Sequence, residues 1–240
     1  MQCRFYIAKA LLLGFYLCLS SPSLASEIPA AEGTNQPTSK EERMTNIFTF
    51  IGGSKGPWSV KKITTVIGEP LASVAAIQIV ERDTQEALAG EWLVRGFTSN
   101  IRYATLDEVK ALKKVQPELS RREATCAAMI LIKKSDKWWE LAQDQRRRIF
   151  EEQSHHNSIG MEYLPAVARR LYHSRDLGEE FDFITWFEFA KSDLSKFDEL
   201  VNRLRASEEW TYVEREVDIR LEREEQNSHM PVKEREDDRE

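Results

Sequence analysis

A short segment between residues 154 and 170, SHHNSIGMEYLPAVARR, holds three side chains that could do chemistry: His155, His156 and Arg169. The whole chain contains four histidines, so an adjacent pair calls for an explanation. Neighbouring residues point in different directions in a helix or a strand, and we therefore expect at most one of the two imidazoles to bind a given metal ion. His173, in LYHSRD, is a rival ligand on the same grounds.

Gly160 and Pro165 interrupt this segment, so it is not expected to form one unbroken helix. We predict that a helix ending near His156 and a second short helix starting near Pro165 approach one pocket from two directions. An imidazole and a guanidinium could then lie on opposite sides of a planar cofactor. The large flat side chains of Trp138 and Trp139 add to a combination that suits a haem site.

Ordinary interpretations of the same residues stay open at this point. Most histidines satisfy core or surface hydrogen bonds, adjacent arginines commonly form surface ion pairs, and aromatic residues on helices usually belong to the core. The sequence contains no Gly-rich phosphate loop, no cysteine pair with metal-binding spacing, no HExxH and no GxSxG. Its acidic residues are numerous, but their spacing does not single out a catalytic pair.

The first 25 residues have the pattern of an export signal, with Arg4 and Lys9 ahead of the apolar run 10–19 and a small-residue cleavage site at Ala25. That run is too short to span a bilayer, so we expect a periplasmic protein without a membrane anchor after cleavage. Cleavage would remove two cations and no acid, which changes the formal net charge from −6 to −8. Such a charge disfavours nucleic acid as a partner.

The mature chain is expected to have one folded part between two polar ends. Residues 26–45 read as a flexible leader, and residues 222–240, with eight acids and four bases, read as a solvated acidic tail. The intervening residues 46–221 are long enough for a sizeable core. Since Cys126 is the only cysteine left after cleavage, no internal disulfide is possible.

Within this folded part the hydrophobic period switches repeatedly between two residues and three to four. Strands are predicted at 46–52, 58–67, 75–81, 91–97 and 124–132. Helices are predicted at 106–115, from Asp136 to about His156 with Ser135 as a cap, and at 192–205.

Two further strands carry distinct patterns. The stretch 181–189, FDFITWFEF, is apolar on both faces and is expected to be central in a covered sheet. The last strand alternates: Val213, Val217, Ile219 and Leu221 face inward, Glu214, Glu216, Asp218 and Arg220 face outward, and Arg215 is the one polar residue on the inner side. Mixed strands and helices without steady βαβ alternation predict an α+β fold with antiparallel sheets in a ferredoxin-like, partly duplicated arrangement.

Several stretches of the sequence resemble the chlorite dismutase family, and specifically its short-chain branch. The resemblance lies in IKKSDKWWELAQDQRRRIFEEQSHHNSIGMEYLPAVARRLYHSRDLGEEFDFITWFEF and in EEWTYVEREVDIRL, and extends to FTFIGGSKGPWSVKKI and GFTSNIRYATLDEV. It covers nearly everything from residue 46 to 221. The combination of WW, SHH, YLPAVAR and EEWTYVEREVDIRL is much more specific than any one of these motifs.

The resemblance implies a homodimeric enzyme on a ferredoxin-like dimeric α+β barrel, with one haem b per subunit. It implies conversion of chlorite to chloride and dioxygen, through O–Cl cleavage to an iron-oxo species and hypochlorite followed by O–O bond formation. His156 matches the proximal iron ligand, and Arg169 matches the distal arginine of the chlorite-decomposing members. Glu209 matches the acid that hydrogen-bonds the proximal imidazole, and Lys134 matches the base that extends this network. Without the resemblance to the family, both residues would be interpreted as surface charges.

The resemblance also implies roles for residues around the porphyrin. Gln116 and Leu164 match residues that steady the arginine and shape the distal entrance. Four more positions fall where the family surrounds the porphyrin: Asn100, Tyr103, Trp138 and Trp139.

Three alternative functions stay open. The first is a relative that decarboxylates coproporphyrin haem, against which both the export signal and Arg169 count. The second is an exported peroxidase-like haem protein that meets peroxide or nitrogen oxides. The third, a non-catalytic barrel module, would require an empty pocket.

Overall fold

The computed structural model describes residues 47–81, 90–98 and 102–223. The predicted signal, the leader, Asn100 and the tail beyond Arg223 lie outside these ranges. The described strands are β1 (Ile47–Gly53), β2 (Trp58–Ile67), β3 (Ala76–Val80), β4 (Trp92–Phe97), β5 (Cys126–Lys134), β6 (Ala168–His173), β7 (Phe183–Phe189) and β8 (Val213–Arg223).

Short helices connect or cover the strands. They are α1 (Leu106–Val115), α2 (Asp136–Glu140), α3 (Gln143–Arg147), α4 (His156–Glu162) and α5 (Leu194–Arg205), with a π-helical segment at Arg148–Gln153 and 3-10 turns at Arg175–Leu177, Lys191–Asp193 and Glu208–Tyr212. Among the described residues, no helix has both the length and the apolar character needed to cross a membrane.

The eight strands close an antiparallel barrel in the order β1-β3-β2-β8-β5-β7-β6-β4. The first four strands therefore follow one another as β4-β1-β3-β2, and the last four follow the equivalent order β8-β5-β7-β6. This strand order is that of a ferredoxin-like sheet, used once in each half of the barrel. The predicted α+β class with antiparallel sheets is confirmed.

Local signals set several of the element bounds. β2 and α1 have the predicted bounds, and the other predicted strands differ by at most two residues at an end. α1 starts at a capping box in which the Thr105 side chain accepts from the Glu108 N–H and the Glu108 carboxylate accepts from the Thr105 N–H. This reciprocal arrangement satisfies two amide groups that a helix start leaves unpaired.

Two apolar layers stabilise the barrel. Side chains from all eight strands, including Phe50, Met129 and Trp186, fill the interior. A second cluster lies on the outer face of β5 and β7, where α4 and α5 cover it with residues such as Phe197 and Leu200. β7 is buried on both faces and lies between β5 and β6, which confirms the prediction for the FDFITWFEF stretch.

The predicted single helix from Asp136 to about His156 is wrong. The segment is divided into α2, α3 and the π-helical segment, and α4 begins where the predicted helix was to end. The first break comes at Leu141 and Ala142, whose backbones are extended. Ser135 occupies the position before α2, but its side chain makes no capping hydrogen bond.

The predicted short helix near Pro165 is also wrong, because the chain there enters strand β6. Six residues of β6 pair one for one with β7, from Ala168 opposite Glu188 to His173 opposite Phe183. Pairing with a neighbouring strand, a tertiary effect, decides the conformation of this segment.

The predicted outward orientation of Glu216 and Asp218 on β8 is confirmed, but it does not bring them to solvent. Both point away from the barrel interior, but α5 covers them and they are buried. Arg205 of α5 donates to both carboxylates, at 2.6 Å to Glu216 and 2.8 Å to Asp218, and Trp210 donates to Glu216 at 2.7 Å. Buried carboxylates are tolerated because these donors replace the lost water.

Replacing Glu216 by alanine is expected to destabilise the fold by about 3–5 kcal/mol, because Arg205 and Trp210 would lose a buried partner. The midpoint of urea unfolding measures this effect. The matched control is Glu214→Ala on the same strand, whose exposed pair with Lys133 contributes about 0–1 kcal/mol. Equal effects of the two substitutions would contradict the prediction.

Candidate functional site

A cavity of about 690 Å³ lies on the outer face of the sheet. The strands β5, β6 and β7 form its floor, and α1, α4 and α5 form its walls. His156 and Arg169 both line this cavity. Much of the remaining wall is apolar, from Ile130, Ile132, Phe150, Phe187, Val201, Leu204 and Trp210.

The backbone around the histidine pair separates the two imidazoles. His155 adopts a left-handed conformation with φ of 53°, and α4 begins at the next residue. The turn leaves His155 exposed and directs His156 to the cavity. The ring of His156 stacks on that of Phe150 at a centroid distance of 4.3 Å. Segments of π-helix such as Arg148–Gln153, which carries Phe150, are frequent at functional sites.

A buried carboxylate holds the His156 ring. Nδ1 of His156 lies 2.6 Å from Oε2 of Glu209, and the other carboxylate oxygen accepts from Nζ of Lys134 at 2.7 Å. Burial by itself would raise the pKa of Glu209, but the charges and hydrogen bonds of His156 and Lys134 outweigh burial and lower the pKa to about 2. Because Nδ1 is engaged by an anionic carboxylate, Nε2 is the nitrogen left to coordinate a metal ion.

The Glu209–Lys134 pair is itself fixed by its surroundings. The backbone N–H of Glu209 donates to Oγ of Ser154, two residues before His156. Nζ of Lys134 lies 4.9 Å from the ring centroid of Trp138 and 5.5 Å from that of Trp210. Buried lysines need such compensation, and aromatic faces supply part of it. Sequence pattern alone would place both charges on the surface, whereas the structure places both in the interior.

Arg169 reaches the cavity from β6. Within the described residues its guanidinium makes no hydrogen bond or ion pair, and it rests against Gly160 of α4, where a Cβ atom would overlap it. Burial lowers the pKa of Arg169 to about 10, while the negative charge of Glu151 acts in the opposite direction. The guanidinium therefore stays charged at neutral pH and has donors to offer a ligand.

The other residues matched by the resemblance have different positions relative to the cavity. Gln116 lines it and donates through Nε2 to the backbone carbonyl of Arg169, so it contacts the strand and not the guanidinium. Leu164 is half-buried in the turn after α4 and is not among the residues of the cavity wall.

The aromatic residues lie behind the cavity. Trp138 is buried and packs on Tyr103, at a centroid distance of 6.0 Å, and Tyr103 in turn packs on Phe150. Trp139 stacks on Phe183 and donates to Asp182 at 3.2 Å. Tyr103, Trp138 and Trp139 are not among the residues that line the cavity.

His173 lines the same cavity four residues beyond Arg169 on β6. Burial and the charge of Arg102 lower its pKa to about 4, so the ring is neutral. Its ring packs on Phe97 and Phe183, and it has no carboxylate partner in the described ranges of the chain. This lack of an anionic partner distinguishes it from His156.

Sequence reasoning missed Glu151, a buried carboxylate beside the first turn of α4. It accepts from the backbone N–H groups of Asn157 at 2.6 Å and Ser158 at 3.2 Å. A separation of six and seven residues matches no periodic or capping pattern. No signal in the sequence could therefore have identified this residue.

The donor set of the cavity restricts what it could hold. Across residues 47–81, 90–98 and 102–223, no three His, Cys, Asp or Glu side chains converge on one metal position. A metal ion at His156 would therefore need a group that brings its own ligands, as a porphyrin does. The apolar walls and the single supported imidazole fit such a group.

Comparison with known proteins shows which family this chain resembles. The family described as chlorite dismutase matches residues 69–223. A chlorite dismutase from Ideonella dechloratans is 40% identical over 75 residues, which are 31% of this chain and 24% of that protein. The match thus spans about a quarter of the curated relative's length.

Solved structures of chlorite dismutases are also similar to this chain. The dimeric chlorite dismutase structure from Nitrobacter winogradskyi is 51% identical, with a TM-score of 0.69 over 74% of this chain and 99% of that one. A mutant chlorite dismutase from Candidatus Nitrospira defluvii, at 21% identity and a TM-score of 0.56 over 75% and 92% of the two chains, shares the fold. The match over residues 69–223 and the identity to the Nitrobacter protein show that the chain belongs to the chlorite dismutase family.

Proposed function

We propose that this protein is a haem b enzyme that converts chlorite to chloride and dioxygen. The observation that carries the proposal is one cavity that holds both an imidazole supported by a buried Glu–Lys pair and the guanidinium of the half-buried Arg169, which has no hydrogen-bond partner among the described residues. His156 would hold the haem through Nε2, with the apolar side chains of β5, β7 and α5 against the ring. When bound, the haem iron supplies the redox chemistry that breaks the O–Cl bond and joins the two oxygen atoms.

Arg169 binds the anionic substrate in this proposal. Chlorite and hypochlorite are small anions, and a guanidinium offers a permanent charge and several donors to their oxygen atoms. In a partly enclosed cavity, where screening by water is reduced, these interactions are stronger than in solution. Arg169 thus both attracts chlorite and retains hypochlorite until the O–O bond forms.

Glu209 and Lys134 orient the imidazole. The carboxylate accepts the Nδ1 proton, which fixes the tautomer with Nε2 free and increases electron donation toward a metal ion. Lys134 keeps the carboxylate ionised.

Replacing Glu209 by alanine is expected to lower haem affinity by roughly 10–100-fold, as loss of an outer hydrogen-bond partner of a metal ligand usually does. Titration of the purified protein with haem, followed at the Soret band, measures the affinity. Glu208→Ala changes the exposed neighbour and should leave it unaltered. Equal affinities of the two variants would argue against the Glu209 contact.

Replacing Gly160 by alanine is expected to reduce chlorite turnover by roughly 100-fold, because the new methyl group overlaps the guanidinium of Arg169 and displaces it. Alanine is a better helix former than glycine, so α4 itself should not be weakened. Steady-state oxygen release on protein loaded with haem measures the change, and an unchanged Soret band serves as the internal control. Full activity would show that Arg169 is not used in its observed position.

The proposal is tested by an oxygen electrode trace on haem-loaded protein after addition of chlorite. Rapid release of oxygen is expected, followed by gradual inactivation. If no gas evolves but hydrogen peroxide supports oxidation of a dye, the peroxidase-like alternative replaces the proposal. Loss of carbon dioxide from coproporphyrin haem would favour the decarboxylase instead, and the lack of a Soret band after haem addition would favour a non-catalytic module.

The same proposal includes a periplasmic homodimer. The similar chlorite dismutase from Nitrobacter winogradskyi is dimeric, which supports a second copy of this chain as partner. The apolar run ahead of Ala25 supports export with signal cleavage. Light scattering of the purified protein and amino-terminal sequencing of secreted material test the two parts separately.

A further inference from the structure

Glu151 is a buried acid that the proposed mechanism does not use. It lies in the π-helical segment, and its carboxylate accepts from two backbone N–H groups and from the hydroxyl of Ser158. The backbone carbonyl of the same residue accepts from the N–H of His155 at 3.0 Å. The carboxylate of Glu151 therefore holds the first turn of α4, and its backbone carbonyl holds His155, the residue just before that helix.

The helix that Glu151 holds carries one half of the site and contacts the other. His156 is the first residue of α4, and Gly160 lies one turn later on the same face. The guanidinium of Arg169 rests against Gly160. A shift at the start of α4 would therefore move the imidazole and the surface that supports the guanidinium together.

Glu151 also acts on Arg169 through its charge. Its carboxylate bonds the N–H of Asn157, three residues before Gly160, against which the guanidinium of Arg169 rests. At this position its negative charge raises the pKa of Arg169, against the effect of burial. The two side chains make no direct ion pair, so the guanidinium keeps its donors. A carboxylate at this position reduces the net positive charge that an incoming anion meets.

We propose that Glu151 is a positioning residue for both functional groups of the site. It anchors the start of α4, which places His156 and supports Arg169, and it moderates the anion affinity of Arg169. The second part of this inference rests on the proposed haem function, whereas the first part concerns the protein before any cofactor is added.

Hydrogen exchange of the purified protein, without added haem, tests the first part. Glu151→Ala should reduce protection of the amides in residues 156–162 by roughly tenfold, the usual consequence of losing a side-chain cap. The matched control is Glu162→Ala, which removes a carboxylate from the other end of the same helix, where it pairs with Arg203 on the surface. Equal protection in the two variants would overturn the anchoring role whatever the cofactor.

Fluoride binding to haem-loaded protein at low salt and fixed pH tests the second part. Glu151→Gln keeps the shape and one acceptor oxygen but removes the charge, and should tighten fluoride binding by roughly three- to tenfold. A purely structural role would weaken binding or leave it unchanged, so either result would overturn the electrostatic role. Glu162→Gln should bind fluoride like the unmodified protein. If no variant takes up haem, the proposed function fails while the exchange experiment still decides the anchoring role.

Discussion

Replacing His156 by alanine is expected to abolish stable haem binding. His156 is the one imidazole in the described cavity whose ring is held by a buried carboxylate. Glu209 bonds its Nδ1 and Lys134 bonds Glu209, so Nε2 is left to bind the iron. Loss of a direct metal ligand should cost more than roughly 100-fold in affinity, the upper end of what loss of an outer partner costs. The Soret band of protein purified in the presence of haem measures the loss.

His155→Asn is the matched control for that substitution. His155 is exposed and left-handed, and asparagine tolerates this conformation better than most residues. The variant should retain haem fully. Addition of imidazole to His156→Ala should restore part of the haem binding, because the free ligand can occupy the space of the missing ring. Retention of haem by His156→Ala without imidazole would contradict the assignment and direct attention to His173.

Replacing Arg169 by alanine is expected to lower kcat/KM for chlorite by roughly 100- to 1,000-fold, the effect of removing a donor that stabilises developing charge. Haem binding should be unaffected, because Arg169 does not contact His156 or Glu209 through any hydrogen bond in the described chain. Hypochlorite should also escape more often, so that the haem bleaches within fewer turnovers. Oxygen release measures the loss of kcat/KM. Chlorination of a scavenger added to the solution measures the escape of hypochlorite.

Arg169→Lys separates charge from geometry. Lysine keeps the positive charge but lacks the planar fork of donors. The turnover of chlorite by Arg169→Lys should therefore lie between that of the unmodified protein and that of Arg169→Ala. More hypochlorite should still escape from Arg169→Lys than from the unmodified protein. Arg203→Ala, which removes a surface arginine paired with Glu162, should change neither quantity. If Arg169→Ala turned over chlorite normally, the guanidinium would have no part in the reaction.

The regular elements could be predicted wherever a local pattern decided them. β2 and α1 have the expected bounds because β-branched and aromatic residues fill β2 and a Thr–Glu capping box starts α1, and both signals act within a few residues. The failures share one cause. The segment after Pro165 became a strand because β7 pairs with it, and Glu216 is buried because α5 supplies Arg205. Both partners lie ten or more residues away in sequence, so neither effect left a signal within one or two turns of chain.

The features of the candidate site also fall into those that local sequence predicts and those that depend on the tertiary structure. From its own residues the sequence determined that His155 and His156 point in different directions, that the chain between imidazole and guanidinium is not one unbroken helix, and that the fold is antiparallel α+β. Gly160 was wrongly predicted to interrupt this segment, because it lies within α4. Only the tertiary structure decided that Glu209, 53 residues beyond His156, holds its ring, that Lys134 is buried beside it, and that Glu151 anchors α4. The physical reason is that backbone periodicity is encoded within a turn or two of chain, whereas the burial and pairing of a charge depend on which distant surface folds over it.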